Sequence, residues 1–227
     1  MENTFDYVVV GAGSSGCVMA NRLSEDGTDT VLILEAGGKD TNMFIHMPSG
    51  YSQIVPTKND NNYGFETEPE ATTNNRPLYW PRGKGWGGSS SINAMIYIRG
   101  QKEDYNEWAN LGNEGWGWKE VLPYFIKAEN NENGRTEFHG DGGPLEVSNQ
   151  KVPRSISHAY LEACAKSQLK ISNDFNTGSN EGAGFWQSTI FHSNKKNGQR
   201  CSTAAAYILP FIGKRKNLNI ITKATVT

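Results

Sequence analysis

The sequence predicts an α/β fold, with α+β character overall, and three observations support this. A short apolar strand near the N-terminus leads through a glycine-rich turn into a helix and then into a second apolar strand. Stretches with apolar residues at helical spacing follow, and another apolar strand lies at residues 213–227. A strand–helix–strand unit predicts parallel pairing, because the crossover brings the chain back to the same end of the sheet.

The first element is a βαβ unit between Tyr7 and Gly38. Its predicted parts are a strand at Tyr7–Val10, the turn Gly11-Ala12-Gly13-Ser14-Ser15-Gly16, a helix from about Cys17 to Ser24 and a strand at Thr30–Leu34. In this pattern Gly11 permits the tight turn, Gly13 lets the backbone approach a pyrophosphate, and Gly16 lets the helix pack closely on the strand. A diphosphate would then lie at the positive end of the helix, so the unit predicts a bound dinucleotide.

Glu35 follows the second strand, close to the expected spacing of about 20 residues beyond the glycine turn. Its carboxylate can accept hydrogen bonds from ribose hydroxyls and would repel a 2′-phosphate, which argues against NADP. The unit alone leaves NAD and FAD both open.

Residues 39–76 are rich in Asn, Thr, Pro and Gly. A structureless segment of this length is uncommon inside a compact domain and predicts a lid or extended arm, with a poorly ordered surface loop as the alternative. The aromatic residues Phe44, Tyr51, Tyr63 and Phe65 favour packing of part of the segment.

A second glycine-rich segment follows Arg82. Four glycines (Gly83, Gly85, Gly87 and Gly88) occupy six positions, and three serines come directly after them. Glycine weakens helices and strands, and serine competes for backbone hydrogen bonds, so we predict a loop whose N–H groups and hydroxyls surround a large ligand. Asn93 then opens the apolar stretch Ala94–Ile98, predicted to be a short buried strand or the start of a helix.

Further helices are predicted from the remaining pattern, with a strand after them. They lie at Gln101–Leu111, at Trp118–Leu122 and Tyr124–Ala128 on either side of Pro123, at Arg154–Leu169, and at Ala204–Leu209 with Ser202 or Thr203 as the cap. Leu218, Ile220 and Ile221 predict a strand that returns to the first sheet. The aromatic residues Tyr105, Trp108 and Trp118 are expected to pack in the core, with a substrate cavity as the alternative.

Charge and cysteine content exclude several classes of function. The net charge is only -2, without long runs of either sign, so no nucleic-acid partner is expected. No apolar run is long enough to cross a bilayer. Cys17, Cys164 and Cys201 lack metal-ligand spacing and are expected to be reduced, buried thiols, which favours a cytoplasmic protein without a bound metal. The oligomeric state stays open.

Several long motifs carry a family resemblance. The string Gly83–Asn106 resembles the first signature of the glucose-methanol-choline (GMC) oxidoreductases, and GAGSSG with LEAG at Leu34–Gly37 resembles their N-terminal FAD fingerprint. Further similar strings are Asp104-Tyr105 with Trp108, Trp118, Val121–Phe125, Gly143–Leu145 and Arg200–Leu209. The chain looks most like the choline dehydrogenase and bacterial alcohol dehydrogenase branch, and the resemblance runs from Phe5 to the last residue.

The resemblance implies FAD as the bound dinucleotide. Carried over position by position, the residues at the pyrophosphate would be Gly11, Gly13, Ser14, Ser15 and Gly16, and Glu35 would lie at the adenosine ribose with Ala36 beside it. The residues at the flavin half would be Arg82, Gly83, Gly87, Gly88, Asn93, Ala94, Met95 and Ile96. The residue at the adenine edge would be Val226, in a strand Asn219–Thr227. Some choline oxidases carry a flavin-linked histidine where this chain has Ile92. The resemblance therefore implies non-covalent FAD.

The activity that the resemblance implies is oxidation of a small-molecule alcohol to an aldehyde or ketone, by hydride transfer to flavin N5 with a histidine as base. None of the four histidines (His46, His139, His158 and His192) stands in the family's catalytic context, so no catalytic residue is expected in this chain. The electron acceptor and the particular alcohol stay open. An alcohol oxidase that uses O₂ and a non-catalytic flavin-binding protein are the alternatives.

The expected organisation is a Rossmann-like FAD-binding βαβ domain with part of a substrate-binding domain, truncated at the C-terminus. Four segments are predicted: the βαβ unit at residues 1–38, a lid or arm with the flavin-contacting Gly/Ser loop at 39–100, a mixed helical, partial substrate domain at 101–212, and a returning strand at 213–227. The family catalytic segment is expected to lie outside these residues, so this polypeptide by itself should be inactive.

Overall fold

The computed structural model describes residues 4–227, and these divide into two compact units. The first unit contains residues 4–95 and 198–227, and the second contains residues 96–197. This division follows contacts within the folded chain, whereas the four segments were drawn on sequence character. The four-segment division stays a prediction, and its residues 1–3 lie outside the described residues.

Nine strands and seven α-helices lie in the described part of the chain. The strands are β1 Tyr7–Val10, β2 Val31–Glu35, β3 Phe65–Glu66, β4 Tyr79–Trp80, β5 Ile96–Tyr97, β6 Glu129–Asn131, β7 Leu145–Val147, β8 Gln187–Ser188 and β9 Leu218–Thr222. The helices are α1 Ser14–Leu23, α2 Met43–His46, α3 Tyr51–Ile54, α4 Lys102–Asn110, α5 Trp118–Ala128, α6 Ser155–Lys166 and α7 Thr203–Tyr207. Short 3₁₀ turns lie at Pro48–Gly50, Ala71–Thr73, Gly88–Ser91 and Asn194–Lys196.

The first unit is built on a parallel sheet in the order β1-β2-β9, which confirms the predicted βαβ unit and the returning strand. The central strand β2 buries Val31, Leu32 and Ile33. The first helix starts at Ser14, three residues earlier than predicted, because Gly13 is extended and its carbonyl accepts the first helical bond from Cys17 N–H at 2.9 Å. The strand β1 forms one edge of this sheet, with Val8 53% and Val10 65% exposed.

The segment 39–76 folds into short helices and turns rather than a structureless arm. Ile45 and Ile54 form a buried apolar cluster with Ile92, and Phe44 packs against it. The aromatic residues Tyr51 and Phe65 are exposed, so part of the segment packs, as predicted. Whether the segment acts as a lid stays a prediction.

Three expected elements differ in the structure. Trp118–Ala128 is one helix with Pro123 inside it, because the fixed φ of proline suits a helix even though a backbone bond is lost. β9 ends at Thr222 because Lys223 adopts a left-handed φ of 57°, so the predicted strand Asn219–Thr227 is too long and Val226 lies beyond it. In the stretch Ala94–Ile98 only β5 is a strand, and its Ile96 is exposed rather than buried.

The second unit holds three helices, α4, α5 and α6, with two small sheets in which β5 pairs antiparallel to β8 and β6 parallel to β7. The thiol of Cys164 is buried on α6, as predicted. Trp108 is exposed on α4 and packs edge-on against Tyr105, so the expected core packing is incomplete there. No helix among the described residues is long and apolar enough to span a membrane.

A buried charge network lies inside the second unit. Arg99 Nη2 donates to Glu129 Oε2 at 2.9 Å, and His139 lies between Glu129 Oε2 at 2.9 Å and Asp174 Oδ2 at 2.8 Å. Burial alone would lower the pKa of His139, but its hydrogen bonds to Asp174 and Glu129 and their charges raise it to about 9. His139 is therefore protonated at neutral pH, and the network balances two cations with two carboxylates.

We predict that His139→Gln removes a pH-dependent part of the stability. Because the pKa of His139 rises from 6.5 to about 9 on folding, its contribution is fully present below 6.5 and is lost as the pH rises through 9. The stability advantage of the wild type over the variant should shrink by about 3 kcal/mol between pH 6 and pH 10. Urea unfolding across this range measures it.

The matched control is His158→Gln, since the His158 ring stacks edge-on against Phe185 and contacts no carboxylate in the described structure. An equal pH dependence in both variants would contradict the prediction.

Candidate cofactor-binding site

The first glycine turn connects β1 to α1 and leaves open space above its backbone. Gly11 has a left-handed φ of 93°, and a Cβ atom added at Gly11 or Gly13 would meet no atom within 4 Å. A Cβ atom at Gly16 would lie 2.0 Å from the carbonyl oxygen of Gly11. Gly16 is therefore required for internal packing, whereas Gly11 and Gly13 border space that a ligand can occupy.

Hydrogen-bond donors surround this open space. The first N–H groups of a helix have no partner within the helix, and Gly13, the N-cap of α1, offers no side chain to satisfy them. Ser14 and Ser15 are exposed, and their hydroxyls have no hydrogen-bond partner in the described part of the chain. With the helix dipole, these groups make the turn suited to an anionic group.

Glu35 is buried at the end of β2, with 6% of its surface exposed. Its Oε2 accepts from Ala12 N–H at 2.7 Å, and its Oε1 accepts from Gly37 N–H at 2.7 Å and Gly85 N–H at 3.0 Å. A carboxylate can accept about four hydrogen bonds, so one position is left for a donor such as a ribose hydroxyl. The role of Glu35 toward ribose stays a prediction.

The second glycine segment lies directly on the first. Gly87 N–H donates to the carbonyl of Ala12 at 2.7 Å, and Trp86 N–H donates to that of Gly38 at 3.1 Å. A Cβ atom added at Gly88 would lie 2.8 Å from the Cα atom of Gly13. Residues 85–88 are buried, and they bring the two glycine segments, far apart in sequence, into one site.

A polar cavity of about 660 Å³ lies beside the ends of β2 and β9. It is lined by Ala36–Gly38 and by three lysines, Lys39, Lys84 and Lys223, among other residues. The carboxyl edge of a parallel sheet is where such folds bind ligands. Ala36 lies on this wall, and its contact with a cofactor stays a prediction.

The segment Asn93–Met95 follows the second glycine loop and contains an unusual turn. Met95 is buried with a left-handed φ of 60°, and its N–H donates to Asn93 Oδ1 at 3.0 Å. Asn93 and Ala94 are exposed. The side chain of Ile92 points into the apolar cluster and offers no atom for covalent attachment of a ligand.

The remaining predicted residues lie as follows. Gly83 packs on the carbonyl of Gly88, at 2.1 Å from an added Cβ atom, and exposed Arg82 lies over the ring of Trp80 at 5.2 Å. Val226 is exposed after β9, and Ile96 belongs to the second unit. The roles of all these residues toward a cofactor stay predictions.

Arg200 is a residue whose role the sequence did not reveal. It is 1% exposed and donates to the carbonyls of Ile45, Ser90 and Asn93 and to Asn93 Oδ1. Burial lowers its pKa to about 10, so it is still charged at neutral pH. Its position within a family-like string was visible, but nothing in the sequence showed that its charge is buried beneath the Ser90–Asn93 turn.

The histidines and Cys17 have structural partners. His46 Nε2 contacts the carbonyl of Asp40 at 2.7 Å, and His192 Nε2 contacts that of Asn130 at 3.0 Å. Burial raises the pKa of the Cys17 thiol to about 11, so it stays protonated. All three cysteines are buried, as predicted, and none of them forms a disulfide within the described residues.

Comparison with known proteins gives consistent matches over nearly the whole chain. A family model described as GMC oxidoreductase matches residues 5–227. An alcohol dehydrogenase (acceptor) from Pseudomonas putida is 46% identical over 224 residues, which is 98% of this chain and 39% of the relative. An oxygen-dependent choline dehydrogenase from Rhizobium meliloti (strain 1021) is 41% identical over 216 residues, 95% of this chain and 38% of the relative.

A solved structure shows the same fold. The crystal structure of pyridoxine 4-oxidase from Mesorbium loti superposes with a TM-score of 0.89 at 34% identity, over 97% of this chain and 42% of that chain. The chain thus spans about two fifths of the length of the proteins it matches.

We predict that Glu35→Gln destabilises the protein by about 3 kcal/mol, because the amide NH₂ group would face backbone N–H donors that the carboxylate now accepts. Urea unfolding measures the change. The control is Glu25→Gln, since the Glu25–Arg22 ion pair at 2.8 Å is exposed. That change should cost less than about 1 kcal/mol, and similar losses in both variants would contradict the central role of Glu35.

Proposed function

This chain belongs to the GMC oxidoreductase family, and on that premise we propose that it forms the FAD-binding part of an enzyme that oxidises an alcohol to an aldehyde or ketone. Members of the family and its structural neighbours are FAD-binding flavoproteins. Within the family, we propose that the chain belongs to the branch that contains the choline and alcohol dehydrogenases.

The observation that carries the proposal is the open space above the backbone of Gly11 and Gly13, which we call the cradle. Neither position has an atom within 4 Å of an added Cβ atom, although residues 85–88 pack closely on the same turn. A pyrophosphate needs close approach to backbone N–H groups and a helix N-terminus, and the cradle offers both. The residues present therefore fit a bound dinucleotide.

We assign the following roles to residues of this chain. The N–H groups and hydroxyls of Ser14 and Ser15 would bind the pyrophosphate, and the remaining acceptor position of Glu35 would bind the adenosine ribose. The second glycine loop and Asn93–Met95 would orient the flavin half. A bound flavin would supply the hydride acceptor for the alcohol carbon. The histidines, which have structural partners, receive no proton-transfer role.

The electron acceptor defines a second candidate, an FAD-dependent alcohol oxidase that reduces O₂. The similarity to pyridoxine 4-oxidase at 34% identity favours this candidate, whereas the similarity to an alcohol dehydrogenase (acceptor) favours a separate acceptor. Oxygen consumption with a panel of primary alcohols, with and without an artificial acceptor dye, distinguishes the two. The experiment uses the product of the complete reading frame that contains these residues.

We predict that Gly13→Ala weakens cofactor binding without unfolding the protein. The backbone φ of Gly13 is -71° and its surroundings are open, so the methyl group should change the stability by less than about 1 kcal/mol. The same methyl group would occupy the pyrophosphate position and should weaken FAD binding at least about tenfold, or 1.4 kcal/mol. Flavin fluorescence titration and urea unfolding measure the two effects.

A matched control is Gly142→Ala, because Gly142 also has open space at its Cβ position and belongs to the second unit. It should leave both quantities unchanged. Unaltered FAD affinity in Gly13→Ala would overturn the proposed pyrophosphate position.

We also predict that the flavin is bound without a covalent link, because Ile92 is buried in the apolar cluster and has no nucleophilic atom. Acid precipitation of the flavin-loaded protein should leave all flavin absorbance in the supernatant. Flavin that stays with the precipitated polypeptide would contradict this prediction.

A further inference from the structure

Arg200 makes an uncommon set of contacts for a buried cation. Its Nε donates to the carbonyl of Ile45 at 2.7 Å, and its Nη1 donates to the carbonyls of Ser90 at 3.2 Å and Asn93 at 2.7 Å. No carboxylate pairs with it in the described structure, and its Nη2 has no hydrogen-bond partner there. The guanidinium is thus held entirely by backbone carbonyls and one side-chain amide, which indicates a geometric role rather than charge pairing.

The fourth contact of Arg200 is the side chain of Asn93. Nη1 donates to Asn93 Oδ1 at 2.9 Å, and the same oxygen accepts from Met95 N–H at 3.0 Å. Two donors on one oxygen fix the plane of the amide group and identify which of its ends is the oxygen. The opposite end, the Asn93 NH₂ group, is on an exposed residue and has no partner within the described residues.

The same contacts stabilise the backbone that follows. Met95 has a left-handed φ of 60°, which is unfavourable for a residue with a side chain, and it is also buried. The bond from Met95 N–H to Asn93 Oδ1 supports this conformation locally, and Arg200 holds that oxygen in place. Arg200, Asn93 and Met95 therefore form one connected unit, in which the Asn93 NH₂ group is the donor on an exposed residue, whereas Arg200 Nη2 is buried.

We propose that Arg200 is a positioning residue for the cofactor: through Asn93 Oδ1 and the Asn93 carbonyl it aims the Asn93 NH₂ group at the flavin as a fixed hydrogen-bond donor. The inference rests on the proposed function, since it requires that the chain binds FAD. The guanidinium holds the Ile45 carbonyl through Nε while Nη1 holds both Asn93 oxygens, which the single nitrogen of a lysine cannot do with the same geometry.

Asn93→Asp separates positioning from simple structural support. Aspartate keeps the oxygen that Arg200 and Met95 use but replaces the outward NH₂ group with a second oxygen. We expect the stability of the cofactor-free protein to be maintained, FAD affinity to fall at least tenfold, and the absorbance maximum of any bound flavin to shift. Isothermal titration, urea unfolding and absorbance spectra measure these three quantities.

Arg200→Lys tests the other end of the contact. It should speed hydrogen exchange at the Met95 N–H and weaken FAD binding about tenfold. Combined with Asn93→Asp it should add little further loss of affinity, because the donor that Arg200 positions is already absent.

The control is Arg215→Lys, since Arg215 also donates to a backbone carbonyl of this unit, that of Asn21 at 2.7 Å, but lies over Phe211. It should leave FAD affinity unchanged.

The outcomes separate the two proposals. A wild-type protein, produced from the complete reading frame, that binds no FAD would overturn the proposed function and this inference with it. FAD binding by the wild type with unchanged affinity and spectrum in Asn93→Asp would overturn the inference alone. Additive losses in the double variant would also overturn it, because they would show that Arg200 acts independently of Asn93.

Discussion

The structure of the first unit depends on one buried carboxylate. Glu35 accepts three backbone N–H groups, from Ala12 in the first glycine turn, Gly37 after β2, and Gly85 in the second glycine loop. Bonds from N–H donors to a buried carboxylate are stronger than those between neutral groups. This side chain therefore connects three segments at the carboxyl edge of the sheet.

The close approach of the segments that meet at Glu35 explains several of the glycines in this unit. The segments that meet at Glu35 approach through their backbones, so an added Cβ atom at Gly37 would lie 2.4 Å from Gly85 N, and one at Gly88 would lie 2.8 Å from Gly13 Cα. Only glycine tolerates such distances. Some glycines thus serve the protein's own packing, while Gly11 and Gly13 leave room for a ligand, although all of them belong to similar-looking motifs in the sequence.

Local patterns were sufficient to predict β1, α1 and β2, because apolar strands and a glycine turn depend on neighbouring residues. Contacts between distant segments were not predictable in the same way. The bond from Gly85 to Glu35 and the position of Arg200 beneath Asn93 depend on how the chain folds back on itself. The end of β9 was misjudged because a left-handed Lys223, a residue type with no particular preference for that conformation, stops the strand.

The exposed side of β1 has a consequence for the physical behaviour of these residues. Parallel sheets are normally covered, yet this strand presents apolar Val8 and Val10 and an unpaired row of backbone N–H and C=O groups. Such an edge is a template on which another strand can add. The edge of β1 therefore offers a place where a further strand could extend the sheet and cover its exposed valines.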